Sequence, residues 1–182
     1  DGLTGLKKLV VKCDPVLIPA GVFANMPNLS EVTIESGAVP AHMFEGSGVT
    51  ALTLGAGVTE IGDSAFANTA LERVRLNAAA SVGERAFANT KLTKMVIPTA
   101  GSFPLSAVEG TSAELRLPAD ATDEQLAAWN ETLKRPWYDP MLREGETSKF
   151  VKMPFEPTPA ENFEFDPDTG LISAYIGSDV DV

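Results

Sequence analysis

Apolar residues recur along this chain with a period of about 21 residues. Phe23, Phe44, Phe66 and Phe87 are spaced by 21, 22 and 21, and Val108 follows 21 later. Five residues before each stands another apolar side chain: Ile18, Val39, Ile61, Val82 and Phe103. The next residue is proline or glycine every time, at Pro19, Pro40, Gly62, Gly83 and Pro104. Downstream of each phenylalanine comes an apolar triplet with two residues, then one, between its members. The triplets are Leu29/Val32/Ile34, Val49/Leu52/Leu54, Leu71/Val74/Leu76 and Leu92/Met95/Ile97. Leu6/Leu9/Val11 is an earlier copy, and Leu115/Leu117 closes a last, shorter one.

Two apolar residues two apart point to one face of a strand, and the residue between them points to the other. One coil of this length cannot bury its own apolar side, whereas stacked coils bury it against each other and share a continuous core. The pattern therefore predicts a solenoid over residues 1–118, made of five to six right-handed β/turn coils. A short-stranded sheet forms one face, irregular turns lie behind it, and an internal phenylalanine ladder runs through the back. Asn25, Asn68 and Asn89 recur two residues after Phe, where their side chains suit capping of free backbone groups in a turn.

The segments Ile61-Gly62-Asp63-Ser64-Ala65-Phe66 and Val82-Gly83-Glu84-Arg85-Ala86-Phe87, each followed by Ala-Asn-Thr and then Leu71 or Leu92, carry a specific resemblance. They resemble the BspA-like class of bacterial leucine-rich repeats. The likeness covers about residues 3–118; the first two repeats depart at the Ile-Gly and Ala-Phe positions, and Val108 replaces the last phenylalanine. The resemblance implies a leucine-rich-repeat solenoid in an extracellular, secreted or surface-attached bacterial protein that binds other macromolecules, as in adhesion to host or neighbouring cells. It implies no enzyme activity and no cofactor.

Past the repeats, Thr122 and Gln125 form a capping-box pair at the head of a helix expected over residues 123–134, with Leu126, Trp129 and Leu133 on one face and Pro136 beyond its end. Residues 119–142 are read as a cap over the last coil, with Trp129, Trp137 and Tyr138 as covering material. Polar and proline-containing residues 143–162 read as a linker. Residues 163–182 read as a β-hairpin, the opening of a further repeat module. The chain opens at Asp1 in mid-pattern, so we expect it to be a piece of a longer protein.

Charge changes the picture modestly. The net charge is -11. Residues 1–120 hold 9 Lys+Arg against 12 Asp+Glu, and residues 121–182 hold 5 against 13, so most of the acidity lies in the C-terminal third. Such a balance disfavours nucleic acid as the partner, because phosphate contacts need clustered cations. No stretch approaches the roughly 20 apolar residues of a membrane span.

Candidate chemistry is sparse. His42, the single histidine, sits at a repeat bend and reads as a surface turn residue. Cys13, the single cysteine, excludes an intrachain disulfide and reads as a small, partly buried residue. Asp166 and Asp168 before Gly170 alternate like a calcium loop but lack the remaining ligands, and a tight turn explains them equally. Asn28 and Asn130 head glycosylation sequons.

The outward strand positions carry more. One column is Val10, Thr33, Thr53, Arg75, Val96 and Arg116, and the other is Lys8, Glu31, Ala51, Arg73, Lys94 and Glu114. Arg73, Arg75, Lys94 and Arg116 should cluster on neighbouring strands as a basic patch on an acidic chain, with Thr33 and Thr53 continuing the face. A protein partner, an acidic one among them, fits that patch; an ordinary solvated face also explains it. A spacer holding another domain outward is a second reading. A glycan-binding module is a third, weakened by the lack of Phe, Trp or Tyr in these columns.

Overall fold

A computed structural model describes residues 5–12, 18–76, 80–100, 102–133, 141–146, 163–166 and 171–175. The chain divides into two compact units, Asp1–Thr147 and Ser148–Val182. The first is a parallel β-solenoid. Its strands are β1 (Lys8–Val11), β2 (Glu31–Val39), β3 (Ala51–Ile61), β4 (Arg73–Arg75), β5 (Ser81–Val82), β6 (Lys94–Val96), β7 (Glu114–Leu117) and β8 (Leu142–Arg143). A helix, α1 (Asp123–Leu133), stands between β7 and β8. In the second unit β9 (Phe163–Asp166) pairs antiparallel with β10 (Leu171–Tyr175), the pairing expected of the hairpin. Residues 167–170 between them, and with them the possible calcium loop, lie outside the described residues.

Successive coils place equivalent residues side by side. Leu9 pairs with Val32 and Val32 with Leu52; Val74 pairs with Met95 and Met95 with Leu115. Their inward side chains join one core with the phenylalanines. Phe44, Phe66 and Phe87 have no exposed surface. Rings stack from Phe23 through Phe44 and Phe66 to Phe87 at centroid separations of 5.7, 5.1 and 5.6 Å, with interplanar angles of 11°, 11° and 5°. At the ends of this ladder Phe23 and Val108 are only partly buried, because an end coil has a neighbour on one side alone.

The back of the solenoid is not irregular, in contrast to the expectation above. β2 and β3 run past the first face into a second ladder. There Val39 pairs with Ile61 and Ile61 with Val82, after register shifts near Ser36 and Gly37. The turns stack as well. The amides of Phe44, Phe66 and Phe87 donate to the carbonyls of Ala65, Ala86 and Ala107, each at 2.8 Å. Those of Asn68 and Asn89 donate to Ala88 and Glu109 at 2.9 and 2.8 Å. A backbone that must hydrogen-bond to the next coil at every turn has to adopt the same bend each time.

That requirement explains the asparagines. The position two after each phenylalanine of the column, and two after Val108, is left-handed, with φ of 55° at Asn25, 67° at Gly46, 58° at Asn68, 54° at Asn89 and 71° at Gly110. Asparagine and glycine are the residues that enter this region most cheaply. The asparagine side chains bond across coils, not to the turn backbone as expected: Asn89 Nδ2 donates to Asn68 Oδ1 at 3.2 Å, and Asn68 Nδ2 to Glu45 Oε1 at 3.4 Å. The capping role falls to the next residue along. The hydroxyls of Ser47, Thr69, Thr90 and Thr111 donate to the carbonyls of Phe44, Phe66, Phe87 and Val108 at 2.6 to 2.9 Å.

At the C-terminal end the capping box is reciprocal. The Thr122 amide donates to Gln125 Oε1 at 2.8 Å and the Gln125 amide to Thr122 Oγ1 at 3.3 Å. Trp129 from α1 is 6% exposed, lies in the same core as Leu115 and Leu117, and meets Phe103 edge-on at 6.5 Å. Trp137, Tyr138 and Pro136 lie outside the described residues. Residues 142–146 belong to the first unit, in contrast to the linker expected to open at 143. Leu142 and Arg143 pair with Arg116 and Leu117 as a further parallel strand, and the Glu144 amide donates to the Leu117 carbonyl at 2.8 Å. The buried Met141 beneath this return anchors it against the last coil.

Candidate binding face

The expected outward columns are in register within two sheets, β1-β2-β3-β5 and β4-β6-β7-β8, and break between β3 and β4 instead of running along a single sheet. Val10, Thr33 and Thr53 are neighbours on β1, β2 and β3, and Thr53 is exposed while Thr33 is half-buried. Arg73 neighbours Lys94, and Lys94 neighbours Glu114. Arg75 neighbours Val96, and Val96 neighbours Arg116. Short β4, β6 and β7 thus bring Arg73, Arg75, Lys94 and Arg116 onto one side of one sheet, because the residue between two inward apolar ones has nowhere else to point.

Their electrostatics differ from a bare basic patch. Arg75 is ion-paired to Glu144, which comes directly after β8. Arg116 is ion-paired to Glu114 two residues earlier on its own strand, and its Nη1 also donates to the Glu146 carbonyl at 3.1 Å, leaving its side chain 13% exposed. Within the described residues Arg73 and Lys94 have no ion pair, and Arg73 is exposed. Val96 is only 4% exposed although it belongs to an outward column. Arg75 lies on β4 and Glu144 directly follows β8, the two edges of the order β4-β6-β7-β8, so their ion pair joins opposite edges of the sheet.

Arg143 fastens the return segment. Its Nε donates to the Ala121 carbonyl at 2.6 Å, its Nη1 to Glu146 Oε1 at 2.9 Å, and Nη2 is paired to Asp123 at the start of α1. The carboxyl of Glu146 is held below the ordinary carboxylate range, first by the Arg143 amide and then by the Arg143 side chain. Arg143 itself is raised by its bonds to Asp123 and Glu146. The sequence signal for this strand was the apolar pair Met141-Leu142, too short to outweigh the polar run that begins at Arg143.

The remaining candidates are modest. His42 is exposed, has a left-handed backbone with φ of 57°, and its Nδ1 lies 2.7 Å from Glu45 Oε2. The sequon asparagine Asn130 is engaged, its Oδ1 accepting from the Met141 amide at 2.6 Å; Asn28 is exposed. Cys13 lies outside the described residues. Among the described residues no cluster of three or more His, Cys, Asp or Glu is arranged to hold a metal ion, and no helix is long and apolar enough to cross a membrane.

Comparison with known proteins agrees with the coil-by-coil geometry. The family model described as BspA type Leucine rich repeat region matches residues 4–112 in six copies. No curated protein and no solved structure matches the chain.

Proposed function

This chain belongs to the BspA-type leucine-rich-repeat family, and from that premise we propose that it is a non-enzymatic protein-binding module of a bacterial surface or secreted protein. Its working surface is made of the outward positions Arg73, Arg75, Lys94 and Arg116 on one sheet, with Thr33 and Thr53 on the sheet before it. Its partner is a protein with an acidic surface, on a host cell, a neighbouring cell or an extracellular matrix. The observation that carries the reading is the register of β4, β6 and β7, which lines up four cations on one face of a chain whose net charge is -11. A repeat stack presents such a face as a continuous strip, and opposite charge steers and orients an acidic partner on it.

The test changes Arg73, Arg75, Lys94 and Arg116 together to serine and measures binding to candidate matrix proteins at low and at physiological salt. Loss of most of the affinity, together with a flatter salt response, is the expected result. A folded quadruple variant that binds a confirmed partner like the parent sinks the proposal. A second reading, a spacer that displays another domain, is favoured by one observation: Arg75 and Arg116 already have carboxylate partners inside the chain.

A further inference from the structure

Other ion pairs on the sheet side join neighbours. Lys8 meets Glu31 at 2.9 Å, one coil along in register, and Lys12 meets Glu35 at 3.7 Å in the same manner. The Arg75 pair is different. Its carboxylate belongs to Glu144, beyond β8, three strands away in the order β4-β6-β7-β8. The segment that delivers it is held by a strand of two residues, by the Glu144 amide on Leu117, and by Arg143. Val96, between Arg75 and Arg116 in the outward column, is 4% exposed.

From this arrangement we propose that Glu144 is a built-in competitor for the binding face. It occupies Arg75 with a carboxylate of the kind a partner would bring, until an acidic protein segment displaces it. The inference rests on the use of this face for binding proposed above. The exchange is balanced: one carboxylate leaves Arg75 for water and another takes its place. The freed face then offers Arg75 and Arg116 on either side of Val96, with Arg73 and Lys94 in the adjoining column. The competitor lowers apparent affinity without altering the contacts of the bound state, since a partner must first free the site.

The experiment titrates a ten-residue polyglutamate peptide onto the full chain at low ionic strength, comparing the parent, Glu144→Gln and Glu72→Gln. Glu72 is exposed and lies beside Arg73. Its substitution therefore removes the same charge next to the basic residues without removing the carboxylate partner of Arg75. Tighter binding by about two- to fivefold for Glu144→Gln alone is expected, the size of one exposed ion pair. The gain should vanish in Arg75→Ser/Glu144→Gln. A measurement that needs no variant accompanies it: the side-chain carboxyl carbon signal of Glu144 should move as the peptide saturates the parent chain. Equal binding by the parent and Glu144→Gln, or an equal gain from Glu72→Gln, overturns the competitor while leaving the basic face standing. Bound peptide with an unmoved Glu144 signal overturns it in the same way. No binding by any of the chains overturns the basic face and the competitor together.

Discussion

Single residues in this protein answer to their column. Phe66 has rings stacked on both sides and no exposed surface, so Phe66→Ala should cost about 3–5 kcal/mol in a denaturant melt. Phe23, with one stacked neighbour and partial exposure, should lose clearly less under the same substitution; equal losses would mean the ladder is not what holds the rings. The left-handed column makes a sharper claim. Asn68→Gly should be close to neutral, whereas Asn68→Val should cost about 1–2 kcal/mol, because a branched side chain resists positive φ. The hydroxyl beside it has its own signature. Thr90→Val keeps the shape but leaves the Phe87 carbonyl without its 2.9 Å donor, at a cost of about 1 kcal/mol.

At the scale of elements, the cap and the returning strand form one device. Thr122→Ala removes an N-cap whose pairing is reciprocal and should destabilise α1 by about 1 kcal/mol. Acid should loosen the same region. Glu146 is depressed by the Arg143 amide and side chain, and Glu124 by its own amide and the Thr122 hydroxyl. A depressed carboxyl contributes stability that is present above its unfolded value and is lost as pH falls through the folded one. Tryptophan emission should therefore report loosening below roughly pH 4, with the region intact at neutral pH. An unchanged spectrum down to full protonation would show that these carboxylates do not hold the return. Most of this architecture was legible in the sequence, because the inward triplets, the phenylalanine column and the Thr122/Gln125 pair are each local patterns of fixed spacing. What escaped was non-local. Inter-coil hydrogen bonds at Asn68 and Asn89 depend on the next coil's backbone, the second ladder at Val39, Ile61 and Val82 depends on strands turning a corner, and β8 is too short to show a period.

For the molecule as a whole, the candidate face illustrates the same limit. Side-chain direction along a strand follows from alternation alone, so the sequence put Arg73, Arg75, Lys94 and Arg116 on one side. Which of them retains its charge for a partner depends on residues up to 69 positions away, as with Arg75 and Glu144, and no periodicity records that. Arg73 and Lys94, without ion pairs among the described residues, should contribute more to salt-sensitive binding than Arg116, which is held by Glu114 and the Glu146 carbonyl. Measuring the salt slope for Arg73→Ser and Arg116→Ser separately checks the ranking, and a larger change for Arg116→Ser would reverse it.

The stacking rule has a mechanical side. Each coil leans on its neighbours at the same offset of about 21 residues, through rings, amides and turn side chains alike. Tension applied between the two ends of the first unit would therefore meet a series of similar links. A coil that gives way frees about 21 residues, close to 70 Å of slack at roughly 3.4 Å per extended residue, while the coils behind it stay closed. A tether built in this way absorbs a pull in steps, with its end coils, where Phe23 and Val108 are least covered, as the first to yield.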